Sequence, residues 1–272
     1  MERIHRNIFV ETKIRGCNPG FVVTDEGIVM IDTPQAPTAA LKWRELMESK
    51  GETRYLINTE DHRDHVTGNF FFSATGIAHQ KAREAIAALQ INPILDRIKA
   101  IDPEGYPLMN GYYIKKPSIT FSERLTLNFG KLTFEVIHLP GHTAGQSAVY
   151  IPEERVVFTG DNVFHKVQTY LHEAYPEDWL KSLKIIGELD VDTIIPGHGE
   201  ICDKSYLKEQ AAFIEEWMEA VRKAIQQGLS KKEAQEKISF LDRYPMDVGL
   251  APMGPEVMRM NVDRLYDLLS KR

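Results

Sequence analysis

Residues 57–69 read Ile57-Asn58-Thr59-Glu60-Asp61-His62-Arg63-Asp64-His65-Val66-Thr67-Gly68-Asn69. Within this stretch Glu60-x-His62-x-Asp64-His65 places four potential metal ligands in six residues, directly after the apolar run Tyr55–Ile57. Carboxylates packed so closely repel one another and resist burial unless a cation neutralises them. Imidazole and carboxylate together suit zinc, iron or manganese better than magnesium or calcium. The stretch predicts a bound metal that takes part in the chemistry.

Metal ligands usually come from several loops, and three later segments fit. His142 lies in Leu139-Pro140-Gly141-His142-Thr143, after a strand pattern ending at Ile137. Asp161 lies in Phe158-Thr159-Gly160-Asp161-Asn162, and His198 in Pro196-Gly197-His198-Gly199. Each polar residue follows an apolar run beside a glycine that permits close backbone approach. Strand ends of this kind are where α/β proteins place their chemistry.

These ordered segments, with Asp32 after an earlier strand, resemble the metallo-β-lactamase superfamily over about residues 8–202. The resemblance implies a four-layer αββα sandwich with two metals at one edge of its paired sheets. It implies that His62 and His142 serve a first metal, that Asp64, His65 and His198 serve a second, and that Asp161 bridges both. It also implies that Asp32 orients the ligand loop. Glu60 stands where the family usually has a histidine. If Glu60 ligates, the first site is Glu/His/His plus Asp161, competent for zinc and also suited to iron or manganese. If it turns away, a single metal at the second site is expected.

The function this implies is hydrolysis. Two divalent ions, with Zn2+ as the leading choice, would share a hydroxide that attacks the carbonyl carbon of a small-molecule ester, lactone, thioester or amide. Asp64 and Asp161 would orient that nucleophile and handle its proton. The alternative is an iron-dependent oxidoreductase of the same fold, similar to the sulfur dioxygenases. A secreted-type β-lactamase and a non-catalytic binding protein rank below it. His165, Tyr170 and His172 lie between Asp161 and the next helix, where a loop could overhang the metals. They are candidates for substrate contact. His138 and Cys202 are better read as packing residues, and His79 either supports the site from a strand end or simply packs.

The rest of the chain narrows the setting. It has 272 residues, 43% hydrophobic and 26% charged, enough for a sizeable core. The whole is read as one domain, with a helical extension from about residue 203. A formal charge of −6 and the lack of a basic run argue against a nucleic-acid partner. Met1–Lys13 lacks an apolar export segment and no run reaches membrane-spanning length, so a cytoplasmic enzyme without a membrane partner is expected. With only Cys17 and Cys202, no disulfide framework is expected.

Apolar periodicity predicts a hairpin about Asp25-Glu26-Gly27. It predicts helices over 38–50 (inner face Leu41, Leu46, Met47), 80–89, 176–189, 207–225 and 255–269. Ser230-x-x-Glu233 reads as a capping box. Residues 91–118, with four prolines, read as an irregular insert or lid. The C-terminal helices would serve either a homodimer or a substrate pocket.

Overall fold

The computed structural model describes residues 1–271. Strands β1 (Glu2–Arg3), β2 (Ile8–Val10), β3 (Gly20–Thr24), β4 (Gly27–Ile31), β5 (Thr53–Ile57), β6 (Thr75–His79) and β7 (Ile119–Phe121) form one sheet in sequence order. It is antiparallel up to β4 and parallel from β4 to β7. Strands β8 (Arg124–Phe129), β9 (Leu132–His138), β10 (Ser147–Ile151), β11 (Val156–His165) and β12 (Thr193–Gly199) form the other, in order β12-β11-β10-β9-β8. Only its β11–β12 pair is parallel.

Strand alternation explains the layers. Val22, Val29, Ile31, Ile57 and Ile77 of the first sheet meet Phe134, Val136, Val149, Ile151 and Ile195 of the second in a buried inner core. The opposite face of the first sheet, with Phe21, Met30 and Leu56, packs on helices α1 (Pro37–Glu48), α3 (Gln80–Ala88) and α4 (Ile91–Ile101). That of the second sheet, with Ala148, Val157 and Ile194, packs on α5 (Pro176–Glu188), α6 (Leu207–Gln226) and α8 (Gly254–Leu269). The short α2 (Arg63–Val66) sits at the sheet edge, and α7 (Lys231–Lys237) joins α6 to α8. The expected αββα sandwich is the fold found.

Three local readings need correction or completion. α1 buries Met47 as expected, with Leu41 and Leu46 partly buried against the same core, and its inner face extends to Pro37, Ala40 and Trp43, whose ring seats edge-on against Phe21. Residues 91–118 open with the regular helix α4. Pro93 lies in its first turn, where no intrahelical N–H is needed, and Ile94 and Ile98 share a buried face one turn apart. The following Asp102 is buried and accepts the Thr38 N–H and hydroxyl at 2.9 and 3.0 Å, which ties the segment to the start of α1. The capping box at Ser230 and Glu233 is present.

His79 and His138 stack face to face, with centroids 3.7 Å apart. His79 Nδ1 accepts the Lys81 N–H and its Nε2 meets the Ser122 carbonyl, which requires a neutral ring protonated at Nε2. Burial, partly opposed by the Ser122 hydrogen bond, pushes His79 down to about 4. The unfolded chain takes up this proton near pH 6.5, whereas the folded chain resists it until about pH 4. Stability is therefore lost as pH falls through that window. Thermal unfolding across pH 7 to 4 should show a shallower decline in His79→Gln than in the unaltered chain.

Candidate metal centre

The site lies where the strands of both sheets end. The chain leaves β5 through Asn58 and Thr59 into Glu60, and His62 takes the extended position preceding α2. One helical turn is then enough to carry both Asp64 and His65. Asp161 sits within β11, whose register against β12 shifts between Phe158 and Gly160 and again between Gly160 and Phe164. Such a bulge re-aims one side chain, and Gly160 supplies its left-handed backbone at φ +50°. Gly197 on β12 faces this carboxylate so closely that any Cβ would collide with Asp161.

Glu60, His62, His142 and Asp161 converge as one ligand group; Asp64, His65 and His198 form a second. Asp161 touches both: His65 Nε2 lies 3.1 Å from its Oδ1, and His142 and His198 Nε2 each lie 3.4 Å from its Oδ2. His198 Nε2 also reaches Asp64 at 3.3 Å. His62 Nδ1 is 2.8 Å from Glu60 Oε2 and 3.0 Å from His142 Nε2. All seven residues anticipated from the sequence, Glu60 included, are thus brought together.

The donor set fits divalent metal ions. Both Glu60 carboxylate oxygens, His65 Nε2 and Asp161 Oδ1 are buried and find no well-directed hydrogen bond among the described residues. Burial pushes the Glu60 carboxyl up to about 8, against the opposing pull of His62. A dication among these atoms would supply the missing partner and restore the ionised form.

The outward-facing nitrogens of three ligand histidines are fixed. His65 Nδ1 contacts Asp32 at 2.9 Å, and Asp32 also accepts the Thr59 N–H and hydroxyl at 2.8 and 2.6 Å. Asp32 adopts φ +52° to do so, a conformation that aspartate tolerates better than most residues. His142 Nδ1 contacts the Tyr170 carbonyl at 2.8 Å, and His198 Nδ1 contacts Asp247 at 2.7 Å. Asp247 escaped the sequence reading because it lies in an irregular stretch with no motif around it. Partners of this kind set tautomer and orientation. Asp247→Ala should lower metal affinity by about 10–100-fold, read by competition with a chromophoric chelator.

A cavity of about 270 Å³ opens over the cluster. Tyr170 and His172 line it, as expected; His165 does not, and turns its Nδ1 to the Glu200 carbonyl at 2.7 Å. His172 stacks on His62, with centroids 5.0 Å apart. The C-terminal residues Leu250, Met253, Val257 and Met260 complete the wall. Cys17 and Cys202 are free thiols, both pushed up to about 12 by burial.

Fold and site together define a metal-binding αββα sandwich. The family model of the metallo-beta-lactamase superfamily matches residues 12–198. The chain belongs to that superfamily. It is 28% identical over 217 residues to the hydroxyacylglutathione hydrolase of Brucella canis, covering 78% of this chain and 71% of that one. The hydroxyacylglutathione hydrolase of Brucella anthropi is 27% identical over 202 residues, 73% of this chain and 65% of that one. Among solved structures, a metallo-beta-lactamase family protein from Thermus thermophilus matches with a TM-score of 0.71 at 16% identity, over 99% of this chain and 95% of that one. A metallo-beta-lactamase from Pontibacter korlensis matches with a TM-score of 0.62 at 18% identity, over 79% and 97%. These structural likenesses concern the fold. Family and relatives support metal-dependent hydrolysis as the general class of activity, and no helix among the described residues is long and apolar enough to cross a membrane.

Proposed function

We propose that this chain is a dinuclear metallo-hydrolase that cleaves a carbonyl ester bond of a small molecule, with thioesters the first to test. The carrying observation is the shared position of Asp161, in contact with histidines of both ligand groups at the floor of an open cavity. Glu60, His62, His142 and Asp161 would hold one ion, and Asp64, His65 and His198 with Asp161 the other. Divalent ions so held polarise a carbonyl oxygen and make water a nucleophile near neutral pH.

The chain's own groups do the rest. Burial opposes ionisation of Asp64, but its hydrogen bond from His198 and the charges of His65 and His198 hold it well below the usual carboxylate range. Asp64 is thus an acceptor that can orient an attacking water. Burial pushes the Tyr170 hydroxyl up to about 12, so it stays protonated and can donate to a developing oxyanion. Burial, reinforced by the charge of His62, lowers His172 to about 4 and keeps its ring neutral beside the cavity.

The thioester preference rests on the hydroxyacylglutathione hydrolase relatives. Elemental analysis of protein purified without added metal, paired with a thioester and lactone panel, tests the reading. Two metals per chain with chelator-sensitive hydrolysis is the expected result. The hard oxygen donor of Glu60 favours one competing reading, an iron-dependent oxidoreductase. One iron per chain with oxygen uptake on a thiol or persulfide, and no hydrolysis, would replace the hydrolase.

A further inference from the structure

The cavity has a wall that the metal cluster does not use. Arg15, between β2 and β3, and Arg97, from α4, line it beside the exposed Arg63. Arginines that form ion pairs among the described residues are Arg44, Arg54, Arg124, Arg155 and Arg243, and none of these lines the cavity. Arg15 Nε is buried with no hydrogen-bond partner among the described residues. The Arg97 guanidinium meets the Met253 sulfur at 3.9 and 4.0 Å, a weak acceptor for so strong a donor. The carboxylates within the cavity, Asp64 and Asp161, are engaged with the cluster histidines. Burial, and then the charge of Arg97, lowers the pKa of Arg15, as expected of like charges that share a pocket without a counterion.

Leaving the buried Arg15 Nε unpaired is costly, and a planar guanidinium pairs strongly with a carboxylate or phosphate. The wall formed by Leu250, Met253, Val257 and Met260, which Arg97 reaches at the Met253 sulfur, is apolar. The space suits a small molecule with one charged end.

Resting on the hydrolytic reading, we propose that the substrate carries an oxyanion remote from its scissile carbonyl. Arg15 and Arg97 hold this carboxylate or phosphate, and an apolar chain between the two ends lies along the methionine wall. The arginines are specificity residues.

The test compares three thioesters of one thiol with matched acyl chains: hexanoyl (neutral), adipoyl (terminal carboxylate) and 6-phosphooxyhexanoyl (terminal phosphate). At least one charged substrate should exceed the neutral one in kcat/KM by about tenfold or more, through KM, and the better of the two identifies the anion. Arg15→Met and Arg97→Met should each remove most of that preference, and lysine at either position should restore part of it. In parallel, calorimetry on the metal-loaded protein titrates adipate, 6-phosphooxyhexanoate and neutral adipamide. Tighter binding of either anion, weakened by about tenfold in each Met variant, supports the site without any turnover. Equal kcat/KM for charged and neutral thioesters overturns the proposal. So does anion binding that is indifferent to both substitutions, since the anion then sits on the metals. Arginine-dependent anion binding without hydrolysis of any thioester would sink the hydrolytic reading and leave the anion site standing.

Discussion

Asp161→Asn is expected to empty both ligand groups of metal and to lower kcat/KM by about 1000-fold or more, roughly 4 kcal/mol of transition-state stabilisation. The argument is geometric. Asp161 spans the two groups, with His65 on one oxygen and His142 and His198 on the other. Asparagine keeps the shape, which the close approach of Gly197 demands, but removes the charge and turns one acceptor into a donor facing imidazoles. The two arms of the site lose their common anchor at once. Elemental analysis and steady-state rates on the folded variant would check this. Full metal content with near-normal turnover would refute the dinuclear account.

Glu60→Ala is expected to halve the metal content, from two ions to one, and to reduce turnover by roughly 100-fold. Glu60 is fully buried, within 2.8 Å of His62, 3.2 Å of His65 and 3.9 Å of His142. A carboxylate in that position is unfavourable without a cation, so its presence implies one. Removing it leaves His62 and His142 with only Asp161 to complete the first group. Glu60→His should retain two ions while shifting their identity toward zinc, because a neutral imidazole replaces a charged oxygen donor. Elemental analysis after expression in medium containing both zinc and iron would report count and choice together. If Glu60→Ala keeps its full metal content and rate, the glutamate is incidental.

The site was far more legible than its surroundings. His62, Asp64 and His65 advertise themselves through spacing within one turn. His142, Asp161 and His198 do so through a glycine and a preceding apolar run. Asp247, Arg15 and Arg97 carry no such mark. An aspartate in an irregular stretch and an arginine on a helix look the same whether they face water or a cavity. His165 shows the converse failure: it lies only four residues past Asp161, but the strand that holds Asp161 also turns it to the Glu200 carbonyl.

In the fold, periodicity anticipated the hairpin at Asp25–Gly27 and the main helices, while β1, β2 and the short α2 drew no prediction. α4 was missed because a proline in a first turn resembles a proline that breaks a helix. The inner face of α1 was read without Trp43 because Trp43 finds its partner, Phe21, only in space.

What the sequence by itself determined is the layered architecture and which residues gather as candidate metal donors, because both depend on local patterns of burial, spacing and ligand chemistry. Only the tertiary structure decided that Asp247 contacts His198 and that Arg15 and Arg97 face the same cavity as the metal cluster. Those relations join residues tens to hundreds of positions apart. They exist only once the sheets have stacked and the C-terminal segment has closed over the strand ends.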